Sequence, residues 1–363
     1  MHRRVALISA AALALAGALV PAAQAQATGT TDHRPVRWSG ADSWSERRAV
    51  LQYWTTQRLL AAQPMDAMAA PRRAARSTGP TRGEPWAARG TASRSGQRTP
   101  ERTPERTPER TPERTSGPTQ DSARDGAALR AAVPNSRGLR WTDGGAVVRT
   151  SGRLFFTTAG GGNASCSGTA VTSANESVVM TAGHCVKLNG AAHRNVAFVP
   201  AFDNGRRPFG TWVATRLLTT QQWNAREDIN FDIAAAVVAP LQGRTLTDVV
   251  GGQGVAFNQA RQRQMFAFGY PAASPFDGSD LIYCSGRAFN DPVATRGQGV
   301  PCTMTGGSSG GGWFLGFDET TGVGMLNSVN SFTYDFAPGF MFGPFFGDEA
   351  MEVYQAAQST DAL

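Results

Sequence analysis

The sequence predicts an all-β domain over residues 141–363, preceded by a front region of different character. Three observations carry this. From about Leu139, short apolar runs alternate with clusters of Gly, Asn, Asp, Ser and Pro, as strands alternate with turns. Strand-like and helix-like segments do not alternate regularly, which favours a sandwich or barrel over a parallel α/β sheet. All four cysteines, Cys166, Cys185, Cys284 and Cys302, fall in this part.

In chain order, the first element is an address. His2, Arg3 and Arg4 precede an apolar run from Val5 to Val20, and Ala23-Gln24-Ala25 or Ala25-Gln26-Ala27 offers a small-residue cleavage pattern. Residues 1–27 therefore read as a signal peptide, and the protein as secreted. The run is short for a bilayer, is followed by Pro21, and has no rival elsewhere in the chain, so no membrane partner is expected.

Residues 28–140 read as a largely disordered pro-region with one helix. Ser43-Trp44-Ser45-Glu46 fits a capping box, and Val50, Leu51, Trp54, Leu59 and Leu60 follow at helical spacing up to Pro64. Such a helix suits docking on a partner surface or a marginal amphipathic segment equally. Arg-Thr-Pro-Glu then recurs four times from Arg98 to Glu113. That period is too short for a solenoid and too poor in apolar side chains to bury anything, so 98–115 reads as a proline-stiffened linker. Exposed and rich in Arg, it places maturation somewhere in 115–150.

Strands are expected at Leu154 to Thr157, Ser177 to Met180, Val196 to Val199, Ile233 to Val238, Gln264 to Phe268 and Val323 to Val329. One late helix is expected over Glu349 to Gln358, with Asp348 as N-cap.

The net charge of +7 does not imply nucleic acid. Up to Arg149 there are 23 basic and 12 acidic residues; beyond it there are 12 and 16. The positive charge belongs to the front, where it suits pairing of the pro-segment with an acidic domain. Export into an oxidising compartment makes two disulfides the natural reading of four cysteines. Of the three pairings, Cys166–Cys185 and Cys284–Cys302 is preferred, because each closes a short loop beside a chemically loaded segment. No Cys-x-x-Cys spacing supports a metal site.

Three segments carry the chemistry: Thr181-Ala182-Gly183-His184-Cys185, Asn230-Phe231-Asp232-Ile233-Ala234 and Gly307-Ser308-Ser309-Gly310-Gly311. His184 follows a strand ending in small residues and can stand beside a cleft as a general base, whereas His193 reads as surface or structural. Asp232, at the mouth of an apolar run, can accept the Nδ1 hydrogen of His184, fix its tautomer and stabilise the imidazolium. Glu227 and Asp228 are rivals that read as a solvated loop. Ser309 sits in a glycine-rich turn with its hydroxyl expected to be exposed, and Ser308 is its competitor. The glycines allow a sharp turn that presents the N–H groups of Gly307 and Ser309 to an oxyanion.

In this order, Thr-Ala-Gly-His-Cys and Gly-x-Ser-Gly-Gly resemble the chymotrypsin/trypsin-like serine peptidases. Phe268-Gly269-Tyr270-Pro271 and the Cys284 to Cys302 segment are similar to the secreted bacterial, glutamyl-endopeptidase-like branch. The resemblance covers roughly residues 145–350, and the helix around Tyr53-Trp54-Thr55 also looks like the pro-segment of such enzymes. It implies two packed antiparallel six-stranded β-barrels with His184 and Asp232 from the first and Ser309 from the second. It also implies endopeptidase chemistry on protein or peptide substrates, without metal or organic cofactor, by a monomer. A catalytically silent binding module on the same fold is the alternative.

Two departures bear on specificity and activation. Ser308 stands where the trypsin branch has an Asp to pair with a freed amino terminus, so activation by that salt bridge is not expected. Six residues before the nucleophile, the pocket-base position falls on Thr303, which offers no charge to Arg or Lys. No histidine lies beyond His193 to recognise Glu. Small or apolar side chains are the remaining expectation.

Overall fold

The computed structural model describes residues 34–65, 77–94 and 136–362; the signal segment and the 98–115 linker lie outside them. Six strands close on themselves: Trp212–Thr219, Arg194–Pro200, Ser151–Thr157, Asn163–Val171, Val178–Thr181 and Ala234–Val238, the last pairing back with the first. Every pairing is antiparallel, and closure leaves this ring without an edge. Ser151–Thr157 and Ala234–Val238 are buried along their whole length. That burial on both faces is why Leu154–Phe156 and Ala234–Val238 read as continuous apolar runs rather than alternating ones.

The second lobe has a seven-stranded sheet in the order Trp86–Ala88, Gly254–Phe257, Val323–Val329, Gly312–Asp318, Gln264–Gly269, Ile282–Arg287 and Arg137–Arg140. The pairing of Gly254–Phe257 with Val323–Val329 is parallel, the others antiparallel. Beside it lies a four-stranded antiparallel sheet of Phe289–Asn290, Gln298–Pro301, Ala337–Gly343 and Phe332–Tyr334. Met265, Ile282, Val300, Trp313 and Met341 pack around Cys284 and Cys302, which are joined.

All six expected strands are present. The sequence reading missed several others, among them Asn163–Val171, Trp212–Thr219, Ile282–Arg287, Gly312–Asp318 and Ala337–Gly343; Trp212–Thr219 was hidden because it follows a turn-rich stretch and mixes Thr and Arg with apolar residues. The late helix runs Asp348–Gln358, but its N-cap is Gly347 without a side-chain bond. Asp348 instead accepts from Asn258 Nδ2 at 2.7 Å, so its carboxylate is engaged across the fold and not at the helix end.

In the described parts of the region before the catalytic domain, the capping box forms as expected. Ser43 Oγ accepts from the Glu46 N–H, and Glu46 Oε2 accepts from the Ser43 N–H. The helix ends at Tyr53, and a second one, Thr56–Ala61, starts under a Thr55 cap. The break turns Trp54 and Leu59 fully inward while Leu60 stays half exposed. Strand pairings accompany these helices. Val36–Ser39 pairs with Trp212–Thr219, Gln63–Pro64 with Ala164–Ser165, and Trp86–Ala88 with Gly254–Phe257. A two- to four-residue strand has too little pattern to be seen in a sequence.

Candidate active site

His184 lies in a single 3₁₀ turn, Gly183–Cys185, directly after the strand Val178–Thr181. Its loop is fastened by the disulfide Cys166–Cys185 to the neighbouring strand. Asp232 ends a second 3₁₀ turn, Ile229–Phe231, just before the buried strand Ala234–Val238. Because Ala234 pairs with Thr181, the two turns emerge side by side at one end of the ring.

The consequence is a short, fully buried pair. His184 Nδ1 is 2.8 Å from Asp232 Oδ2, and the His184 backbone N–H donates to Oδ1 at 2.8 Å. Ser331 donates its hydroxyl to Oδ2 as a third partner. An ionised carboxylate only accepts, so the pair places the imidazole hydrogen on Nδ1 and leaves Nε2 as a lone-pair acceptor. The histidine is held at a further point, because its carbonyl lies 3.1 Å from His193 Nε2. His193 is buried, stacked on Phe156 with centroids 4.3 Å apart, and its pKa is pushed down to about 4 by burial. The neutral ring can donate only one hydrogen, and it goes to the His184 carbonyl.

Ser309 comes from the second lobe, in the turn before the strand Gly312–Asp318. Its carbonyl accepts from the Ser167 N–H at 2.7 Å and lies 3.7 Å from Cys185 Sγ, which brings it against the histidine loop. Gly310, at φ +80, could not carry a Cβ, which would fall 2.1 Å from Thr181 Oγ1. Gly307, at φ +93, occupies backbone space that other residues rarely enter. Asn330 ties the turn down, its amide donating to the carbonyls of Ser308 and Phe268 at 3.0 and 2.9 Å. Ser308 donates to the Thr305 carbonyl at 2.7 Å, so its hydroxyl is committed to its own loop.

Contrary to the expectation of an exposed hydroxyl, Ser309 is 1% exposed. Ser309 Oγ and His184 Nε2 are both buried, and neither has a hydrogen-bond partner among the described residues. Resting geometry of this kind often tightens only around a bound reactant. Asp228 is not in a solvated loop either. It is buried and accepts from the Asn230 backbone and side-chain N–H groups, while Glu227 accepts from Lys187 and Gly190. Both rivals thus have other partners than His184. Thr303 is exposed on the second lobe, where its hydroxyl and N–H both donate to the Arg137 carbonyl. Sequence reasoning missed Ser331, whose only signal was a serine directly after Asn330 in an otherwise ordinary strand end.

The sulfurs of Cys166 and Cys185 lie within 4.8 Å of a His184 ring nitrogen, a spacing that could suit a metal ion. The two sulfurs are bonded to each other, so no thiolate is on offer there. The second expected pair, Cys284–Cys302, is also formed.

No family model matches the sequence, and no curated protein matches it. Solved structures do. Anisep, a protease from Arthrobacter nicotinovorans, is 46% identical over 59% of this chain and 98% of its own, with a TM-score of 0.56. The chain belongs to the chymotrypsin-like serine peptidases. AL20, a thermostable serine protease from an extremophilic microorganism, is similar at 45% identity over 59% of the peptidase's chain and 99% of its own, again with a TM-score of 0.56. The predominantly β architecture with a closed antiparallel barrel and a C-terminal helix is that family's fold, and protease activity on peptide substrates comes with it.

Proposed function

We propose that the protein is a secreted serine endopeptidase of the bacterial, glutamyl-endopeptidase-like branch. It would be made with a signal peptide at 1–27 and a pro-region at 28–140, leaving residues 141–363 as the mature enzyme. The observation that carries this reading is the buried His184–Asp232 pair at 2.8 Å, set beside a glycine turn that holds Ser309.

Ser309 Oγ attacks the peptide carbonyl as His184 Nε2 takes its proton. Asp232 holds the ring in the required tautomer and stabilises the imidazolium, and Ser331 and the His184 N–H fix the carboxylate. The oxyanion is received by the N–H groups of Gly307 and Ser309. His184 then gives the proton to the leaving amine, and water, deprotonated by the same ring, hydrolyses the acyl-enzyme. Thr303 as a neutral pocket position favours small or apolar residues over charged ones.

Cleavage of a peptide library by the processed enzyme tests this, run beside Ser309→Ala and Ser308→Ala. Ser309→Ala is expected to lose about 10⁶-fold in kcat, with folding intact, whereas Ser308→Ala keeps turnover within a few-fold. Loss confined to the Ser308 variant would reverse the assignment.

A further inference from the structure

The chain ahead of the catalytic domain runs against the turn that holds Ser309. After the helix Thr56–Ala61, Gln63–Pro64 pairs in parallel with Ala164–Ser165. Met65 then donates its N–H to the Ser165 carbonyl at 2.9 Å and accepts the Gly307 N–H on its own carbonyl at 2.7 Å. That N–H is the one assigned above to the oxyanion. While it points at Met65, a scissile carbonyl cannot have it. Ser309 Oγ, two residues away, is buried along with His184 Nε2.

Met65 is anchored through the segment that precedes it. Trp54 is fully buried against Phe155, with centroids 5.6 Å apart, and its indole N–H donates to the Asn195 carbonyl at 2.6 Å. Tyr53 donates its hydroxyl to Asn163 Oδ1 at 2.7 Å, and Arg207 donates to the Trp54 carbonyl and to Thr56 Oγ1. Val36–Ser39 extends the barrel's hydrogen bonding, and Trp86–Ala88 does the same on the other lobe. None of these contacts involves the Arg98 to Glu113 linker, so a cut there severs the chain without loosening any of them.

We propose that residues 34–65 form an inhibitory partner for the peptidase site, seated through the Met65 carbonyl on the Gly307 N–H, which stays bound after the linker is cut. The proposal rests on the roles given above to Ser309 and Gly307. Activation then requires the fragment to leave, by dissociation or by a second cut within it.

The test is the rate at which a fluorophosphonate probe labels the full chain carrying a specific cleavage site within Arg98 to Glu113. The intact chain should label slowly at every protein concentration. The cut protein should label slowly when concentrated and quickly on dilution. Trp54→Ala should move the concentration of half-recovery up by roughly thirtyfold, the size typical of a buried interface anchor. Met65→Pro, which removes the N–H given to Ser165 together with the partly buried Met side chain and fixes φ, should move it the same way with the Trp54, Tyr53 and Arg207 anchors in place, which covers the case where the Trp54 variant fails to fold. Labelling of the intact chain as fast as the diluted cut protein would overturn the proposal, as would a midpoint unmoved by either substitution. No labelling in any form, even after the fragment is removed by chromatography, would strike at Ser309 as nucleophile, and inhibition would fall with it.

Discussion

The two ends of the His184 ring are treated in opposite ways. At Nδ1 everything is paired: the Asp232 carboxylate collects the ring nitrogen, the His184 N–H and the Ser331 hydroxyl in a site closed to water. At Nε2, and at Ser309 Oγ in the turn whose carbonyl lies against Cys185, two buried polar atoms have no partner among the described residues. Burying an unpaired polar group costs stability, typically about 1–3 kcal/mol. In the proposed mechanism that cost falls where a substrate's atoms come and go, while both oxygens of the Asp232 carboxylate are paired. In that mechanism the paired end sets orientation and tautomer, and the unpaired end takes part in the reaction.

The comparison breaks most severely if the paired end is given the wrong hydrogen pattern. Asp232→Asn keeps shape and burial but lets an amide donate to Nδ1, which moves the ring hydrogen to Nε2 and blocks proton uptake from Ser309. A fall in kcat of about 10⁴-fold is expected, measured on a chromogenic peptide with active-site-normalised enzyme. Ser331→Ala tests the same end more gently. It removes one of three donors to a buried charge, a bond worth about 1.5–3 kcal/mol. A loss of roughly 10-fold to 100-fold in kcat with KM little changed is expected, and no loss would show that the two His184 donors suffice.

The smallest effect sharpens the comparison from behind. His193 has its pKa pushed down to about 4 by burial, below the ordinary value of 6.5. Between those values the unfolded chain binds a proton that the folded one does not, so stability falls as pH drops through this window and is fully present above it. Urea unfolding of the wild type should therefore lose stability below about pH 6.5 with one proton more of slope than His193→Asn. Equal slopes would mean that this ring does not stay neutral behind His184.

The candidate site was legible as a set of segments because the proposed chemistry asks for particular residue types close together: a His beside a Cys, an Asp before a buried run, a Ser among glycines that the turn requires. The disulfides followed from the same segments, since each staples one of them. Long apolar strands such as Val323–Val329 were equally plain. What stayed hidden depends on distant pairings. Nothing in Ser331 announces that its hydroxyl meets Asp232, 99 residues away. Nothing in Gln63-Pro64-Met65 announces a strand that pairs with Ala164–Ser165. Asp228 looked solvated because its neighbours are polar, yet it is buried by bonding one of them, Asn230. Ser309 looked exposed because glycine turns usually are, and here its turn is enclosed by both lobes and by Met65.

The central claim is that Ser309 is the nucleophile served by the unpaired Nε2 of His184. Its most direct test is mass-spectrometric mapping of the fluorophosphonate adduct on the processed enzyme. A single adduct on Ser309, abolished by His184→Ala, is expected. An adduct on Ser308, or one that forms on Ser309 without His184, would contradict the account.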